Sequence, residues 1–134
     1  MSRLGATRIG GRAGRAAPSA PRILRTMDRL AALLDFHRDD PDDPFTRFAL
    51  AQEYLKGGDA EQALAYFEGL VHDHPDYVGT YYHLGKLYEA LGRTESASAI
   101  YRAGVEAATR ANDLHARSEL QGALLAAEGL GFDD

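Results

Sequence analysis

Sliding the chain against itself by 34 positions lays Leu50 on Leu84, Tyr54 on Tyr88, Gly58 on Gly92 and Ala63 on Ala97. The same shift brings Phe67 to Tyr101, Ala51 to Gly85 and Val71 to Val105, so aromatic, small and aliphatic positions all coincide. An internal period of this length marks stacked supersecondary units, each too small to bury its apolar face alone. Residues 44–110 therefore hold two copies of one unit, and the flanking chain must complete or cap them.

Local signals divide each unit into two helices. Asp43 before Pro44 supplies an N-cap carboxylate and a first-turn proline, predicting a helix over 44–56 that closes at Gly57-Gly58. Asp59 with Gln62 opens a second helix over 60–73, and His74-Pro75-Asp76 turns the chain into the next unit. The second copy repeats the plan over 78–91, ended by Gly92, and over 94–109, opened by Thr94 with Glu95. Asn112 or Asp113 caps a last helix over 113–128. Ahead of the repeats, Ile23, Met27, Leu30, Leu33, Leu34 and Phe36 form an apolar stripe at helical spacing over 23–37. Pro41 precedes Pro75 by 34 residues, so this helix is in phase with the second helix of a truncated hairpin covering one end of the core.

Charge divides the chain where periodicity begins. Residues 1–26 carry six arginines and no acid, and the remainder carries a formal charge of −11. Glycine and proline punctuate the basic stretch, so a flexible tail is expected there, with the helical domain over 27–130. An organellar leader, a basic arm for nucleic acid or anionic lipid, and a start codon read too early before Met27 are the competing accounts of 1–26. The acidic body argues against nucleic acid as its ligand. No apolar run approaches the roughly 18 residues of a membrane span. The absence of cysteine excludes disulfide and thiolate chemistry and suits a reducing, cytoplasmic setting.

The two copies resemble the tetratricopeptide repeat, whose pattern is aromatic-x-x-Leu-Gly-x-x-Tyr, then Ala-x-x-x-Phe, then Pro. The second copy supplies Tyr81, Leu84, Gly85 and Tyr88, then Ala97 and Tyr101; the first supplies Leu50, Ala51 and Tyr54, then Ala63, Phe67 and Pro75. Arg47 stands where the first aromatic is expected, and Thr109 where the second proline would fall. The resemblance implies an all-α, right-handed α-α solenoid of about six helices, with repeats near 44–77 and 78–111. It further implies a non-enzymatic interaction module that takes a peptide or partner helix in its concave groove. The alternative is a self-associating scaffold, a homodimer built through the groove or an end helix.

Phe45, Phe48, Gln52 and Leu55 share one stripe of the first helix of unit one. Gly79, Tyr82, Lys86 and Glu89 share the matching stripe in unit two, and Asp113, Arg117, Leu120 and Leu124 continue it on the last helix. The resemblance makes this stripe the groove lining, and Phe48, Gln52, Tyr82, Lys86 and Arg117 the binding residues. Phe48 and Tyr82 read either as ligand anchors or as packing against the neighbouring helix. Lys86 and Arg117, with His83 nearby, read either as a carboxylate holder or as a solvated face paired with Glu89 or Glu119. Some family members grip a carboxyl-terminal peptide with Lys, Asn, Asn, Lys and Arg. Those places fall here on Phe48, Gln52, His83, Asp113 and Arg117; only the arginine matches, so a more hydrophobic ligand is expected.

His72 and His74 with Asp73 and Asp76 have the composition of a metal site but no third ligand at a fixed spacing. They read as a helix terminus, where histidine suits the dipole, and no metal or cofactor is expected. Gly57-Gly58 joins helix to helix and is no phosphate loop; no nucleophile motif is present, so no catalytic residue is assigned.

Overall fold

The computed structural model describes residues 22–129, so the three accounts of the basic stretch fall almost wholly outside the described residues. Six helices follow in order: α1 Arg22–Asp39, α2 Pro44–Lys56, α3 Ala60–Asp73, α4 Gly79–Ala90, α5 Thr94–Arg110 and α6 Leu114–Ala127. No strand occurs among the described residues. Helices α2 with α3 and α4 with α5 pair as hairpins, α3 stacks on α4, and α1 and α6 close the two ends.

Three of the connections are one motif. After α2, α4 and α5 a residue in the left-handed region follows the cap: Gly58 at φ 87°, Gly92 at 77° and Asn112 at 58°. The amide of the next residue returns to a carbonyl five positions back, as in Asp59 to Tyr54, Arg93 to Tyr88 and Asp113 to Ala108. That same residue is the N-cap of the following helix. Asp59 accepts from the Gln62 amide at 3.1 Å and Asp113 from the Ala116 amide at 3.0 Å. Asp43 accepts from both the Thr46 amide at 3.0 Å and its hydroxyl at 2.6 Å, which holds its carboxyl below the usual carboxylate range. Thr94 is the first residue of α5 and not its cap; Arg93 holds that place without a side-chain bond.

Burial recurs with the period. Thr46, Leu50 and Glu53 face inward from α2, and Thr80, Leu84 and Leu87 do so from α4, 34 residues later. Ala51 and Gly85 admit the aromatic rings of Phe67 and Tyr101, both fully buried. Tyr54 and Tyr88 are half-buried and packed against the core; Tyr54 stacks on Tyr66 at 5.7 Å. Arg47, in place of the expected aromatic, uses charge where Tyr81 uses a ring. It reaches Asp73 at 2.9 Å and Asp42 at 3.6 Å, whereas Tyr81 donates its hydroxyl to the Pro75 carbonyl at 2.5 Å.

Two expectations change in the end helices. Among the α1 side chains that are described, from Asp28 on, Leu30, Leu33, Leu34 and His37 are half-buried while Phe36 is 62% exposed; Ile23 and Met27 lie outside that set. Helix α5 has 17 residues against 14 in α3. The inward set of α6 is accordingly Ala116, Leu120 and Ala123, 36 residues beyond that of α4. Leu120, expected in the groove, is 1% exposed and belongs to the core.

Candidate functional site: an aromatic groove along the first helices

The inner faces of α2 and α4 meet through aromatic rings. Phe48 lies edge-on to Phe67 at 5.9 Å and to His83 at 5.2 Å, and tilted against Tyr77 at 5.9 Å. His83 in turn stacks on Phe67 at 6.3 Å and meets Tyr82 edge-on at 5.8 Å. Offset and edge-to-face contacts of this kind favour a fixed arrangement of rings. Burial among them holds the His83 imidazole below its ordinary pKa, with Glu119 of α6 pulling the other way. His83 is thus an aromatic hub joining Phe48, Phe67 and Tyr82.

Beyond this cluster the chain leaves a hollow of about 270 Å³ between α4 and α6. Val78, Gly79, Tyr82 and His83 line one wall; Ala116, Glu119 and Leu120 line the other. The absent side chain of Gly79 leaves its rim open, with nothing within 4 Å of where a Cβ would stand. Tyr82 leans on Tyr101 at 6.5 Å, and Lys86 Nζ lies 5.6 Å from the Tyr82 ring centre. Lys86 reaches no described acid within ion-pair distance, and Glu89 instead accepts from the Tyr101 hydroxyl at 2.5 Å.

The five residues singled out in the sequence occupy three settings. Tyr82 lines the hollow, and Lys86 sits beside the Tyr82 ring without lining it. Phe48 is half-buried in the ring cluster, with the half-buried Gln52 one turn along the same helix. Arg117 is exposed and does not line the hollow, because the longer α5 rotates α6 relative to a strict 34-residue continuation. Ala116 stands 34 residues after Tyr82 and was within reach of the fixed period, whereas Glu119 stands 34 after the buried Gly85 and was not. Tyr77 was hidden for a different reason: it lies in the connection before α4, where helical spacing gives no face, whereas Val78 falls one turn before Tyr82 within the expected helix, and the stripe of Gly79, Tyr82 and Lys86 omits it.

The histidine pair is a helix terminus. His72 Nδ1 lies 2.9 Å from Asp73, and His74 Nε2 lies 3.0 Å from the Asp42 carbonyl and 3.2 Å from its carboxylate. Among the described residues no group of three or more His, Cys, Asp or Glu is gathered to hold a metal. None of the described helices is long and apolar enough to cross a membrane.

Comparison with known proteins matches this geometry. A tetratricopeptide-repeat-containing protein of Pseudomonas aeruginosa is 32% identical over 79 residues, which cover 59% of this chain and 75% of that protein. The crystal structure of a tetratricopeptide repeat domain protein from Salinibacter ruber is 60% identical and superposes with a TM-score of 0.63, covering 66% of this chain and 99% of that one. A solution structure of a tetratricopeptide repeat domain protein from the same organism is 58% identical, with a TM-score of 0.65 over 71% and 96% of the two chains. The tetratricopeptide repeat profile itself matches residues 54–120, and the chain belongs to the tetratricopeptide repeat family.

Proposed function

We propose that the chain binds a protein partner, presented as an extended peptide or a helix, along the inner faces of α2 and α4 and into the hollow beside α6. Tetratricopeptide repeats act in general as protein–protein interaction modules. The observation that carries the finer reading is the hollow itself, lined by the half-buried Tyr82, with Lys86 beside that ring and meeting no described acid. An apolar side chain of the ligand displaces water from the hollow, while Lys86 takes an adjacent carboxylate. Because Phe48, Phe67 and His83 already hold one another, the receptor orders few side chains on binding. Phe48 and Gln52 then form the far wall of the groove, and Arg117 has no part in it.

A peptide selected from a displayed random library against the folded chain supplies the probe. Tyr82→Ala should weaken its binding by about 2 kcal/mol, the loss typical of a central anchor, and Lys86→Glu by less. Amide shifts on adding the peptide should centre on Tyr82, His83, Ala116 and Glu119. Unchanged affinity in both variants, or shifts confined to α1 and α3, would refute the groove assignment.

A further inference from the structure

Among the described residues, the two ends of this solenoid are unmatched halves of one hairpin. Helix α1 occupies the register of a second helix. Its Arg29 Nε lies 3.1 Å from Glu53 of α2, and these residues stand 34 positions before Ala63 and Leu87, which share one core cluster. Helix α6 occupies the register of a first helix, with Ala116, Leu120 and Ala123 inward where α4 has Thr80, Leu84 and Leu87. What is missing at one end is what the other end presents.

Both unmatched faces carry exposed apolar residues. Phe36 stands 34 positions before the fully buried Leu70 and 68 before Gly104, whose missing Cβ would touch Tyr81 of its own hairpin partner. At 62% exposure Phe36 therefore points to where a preceding first helix would lie. On α6, Leu114 and Leu125 are 66% and 47% exposed on the same side as Arg117, Gln121 and Leu124.

Charge fits the same pairing. By the 36-residue register Arg117 occupies the place of Tyr81 and so of Arg47, whose guanidinium lies 2.9 Å from Asp73, the last residue of α3. The last residue of α1, 34 positions before Asp73, is Asp39; it is exposed, and Arg117 reaches no described acid within ion-pair distance. Size fits as well: Gln121 replaces the smaller Ala51 and Gly85, while Leu33 replaces the larger Phe67 and Tyr101.

We infer that α6 of one copy takes α1 of a second copy as its missing hairpin partner, with Arg117 facing the second copy's Asp39. The contact joins two different patches, so it repeats head to tail and does not close as a dimer. Neither Tyr82 nor Lys86 takes part, and the groove stays free along the stack.

Sedimentation velocity of the full chain from micromolar to millimolar concentration tests this. The weight-average mass should rise with concentration beyond that of a dimer. Phe36→Asp and Leu125→Asp should each remain monomeric, and their equimolar mixture should form a one-to-one dimer and nothing larger, since each keeps one intact, complementary end. Both positions are exposed, and an unchanged circular dichroism spectrum confirms folding. Arg117→Glu and Asp39→Arg should each weaken association several-fold and restore it when mixed. A wild-type chain that stays monomeric at millimolar concentration, a wild-type dimer that grows no further, or mixed variants that stay apart would each overturn the inference.

Discussion

Replacing Gly85 by alanine probes the tightest contact between the two helices of the second hairpin. A Cβ there would lie 2.5 Å from Cζ and 2.7 Å from Cδ1 of Tyr101, far inside the 3.5–4.0 Å of a favourable carbon contact. The ring cannot swing aside: Tyr101 is fully buried and its hydroxyl donates to Glu89 at 2.5 Å. Overpacking of this kind costs about 3 kcal/mol. Alanine recovers about 1 kcal/mol through its better helix propensity, leaving a net loss of about 2 kcal/mol. For a domain near 100 residues that lowers Tm by roughly 10 °C, at about 4–8 °C per kcal/mol. Thermal and urea unfolding followed by circular dichroism measure both quantities. The first hairpin pairs Ala51 with Phe67, so adding Tyr101→Phe, which frees the ring from Glu89, should make the second change less costly in the Gly85→Ala background than alone, by about 1 kcal/mol. A Gly85→Ala chain as stable as wild type would refute the close-approach account.

Arg29→Ala removes the cross-helix partner of Glu53, 2% exposed, and leaves it only Lys56 at 3.3 Å; with Arg29 itself 64% exposed, the cost in urea unfolding should be about 1 kcal/mol. Combining it with Glu53→Leu recreates the Ala63 and Leu87 pairing and should restore stability; a double variant weaker than the single would contradict the register of α1. The Tyr88 phenol is pushed up to about 12, first by burial and then by its hydrogen bond to Glu68. Its raised pKa means the stabilisation is complete below the ordinary 10.0 and is lost as pH rises through about 12. The phenolate absorbance difference between wild type and Tyr88→Phe should appear only there, and Glu68→Gln should bring it to lower pH. For His83 the sign reverses: a depressed imidazole pKa gives stability that is present above the ordinary 6.5 and is lost as pH falls through the folded value. Ring-proton shifts should titrate below 6.5, and lower still in Glu119→Gln, whereas an unshifted midpoint would place His83 in water.

The fold was legible because each repeat states its helices in local terms. Asp43 and Asp59 cap where their spacing predicts, and Gly58 and Gly92 take the left-handed conformation that glycine tolerates best. The small-and-large pairing of Ala51 with Phe67 and Gly85 with Tyr101 is likewise written in the alignment of the chain on itself. The site was legible only in part. Tyr82 lines the hollow and Lys86 lies beside its ring, both where the 34-residue register still holds. Arg117 lies outside the hollow and Leu120 lines it as a core residue, because helix length is a weak sequence signal and Asn112 performs at the third turn what glycine performs at the other two. Phe48 and His83 show a further limit: a stripe of spacing places a residue on a face, but only tertiary contact decides whether another ring lies against it.

The extra length of α5 reaches further than the helix itself. Two residues correspond to about 200° of rotation about a helix axis. Had α6 kept the 34-residue register of the repeats, Leu114, Ser118 and Gln121 would have faced the interior, two of them polar. Trimming that helix by two residues would consequently exchange the concealed and displayed sides of everything downstream while leaving each side chain's identity untouched. A segment's length, altered at one seam, can in this way recast the outer surface of a repeat array as thoroughly as several point substitutions.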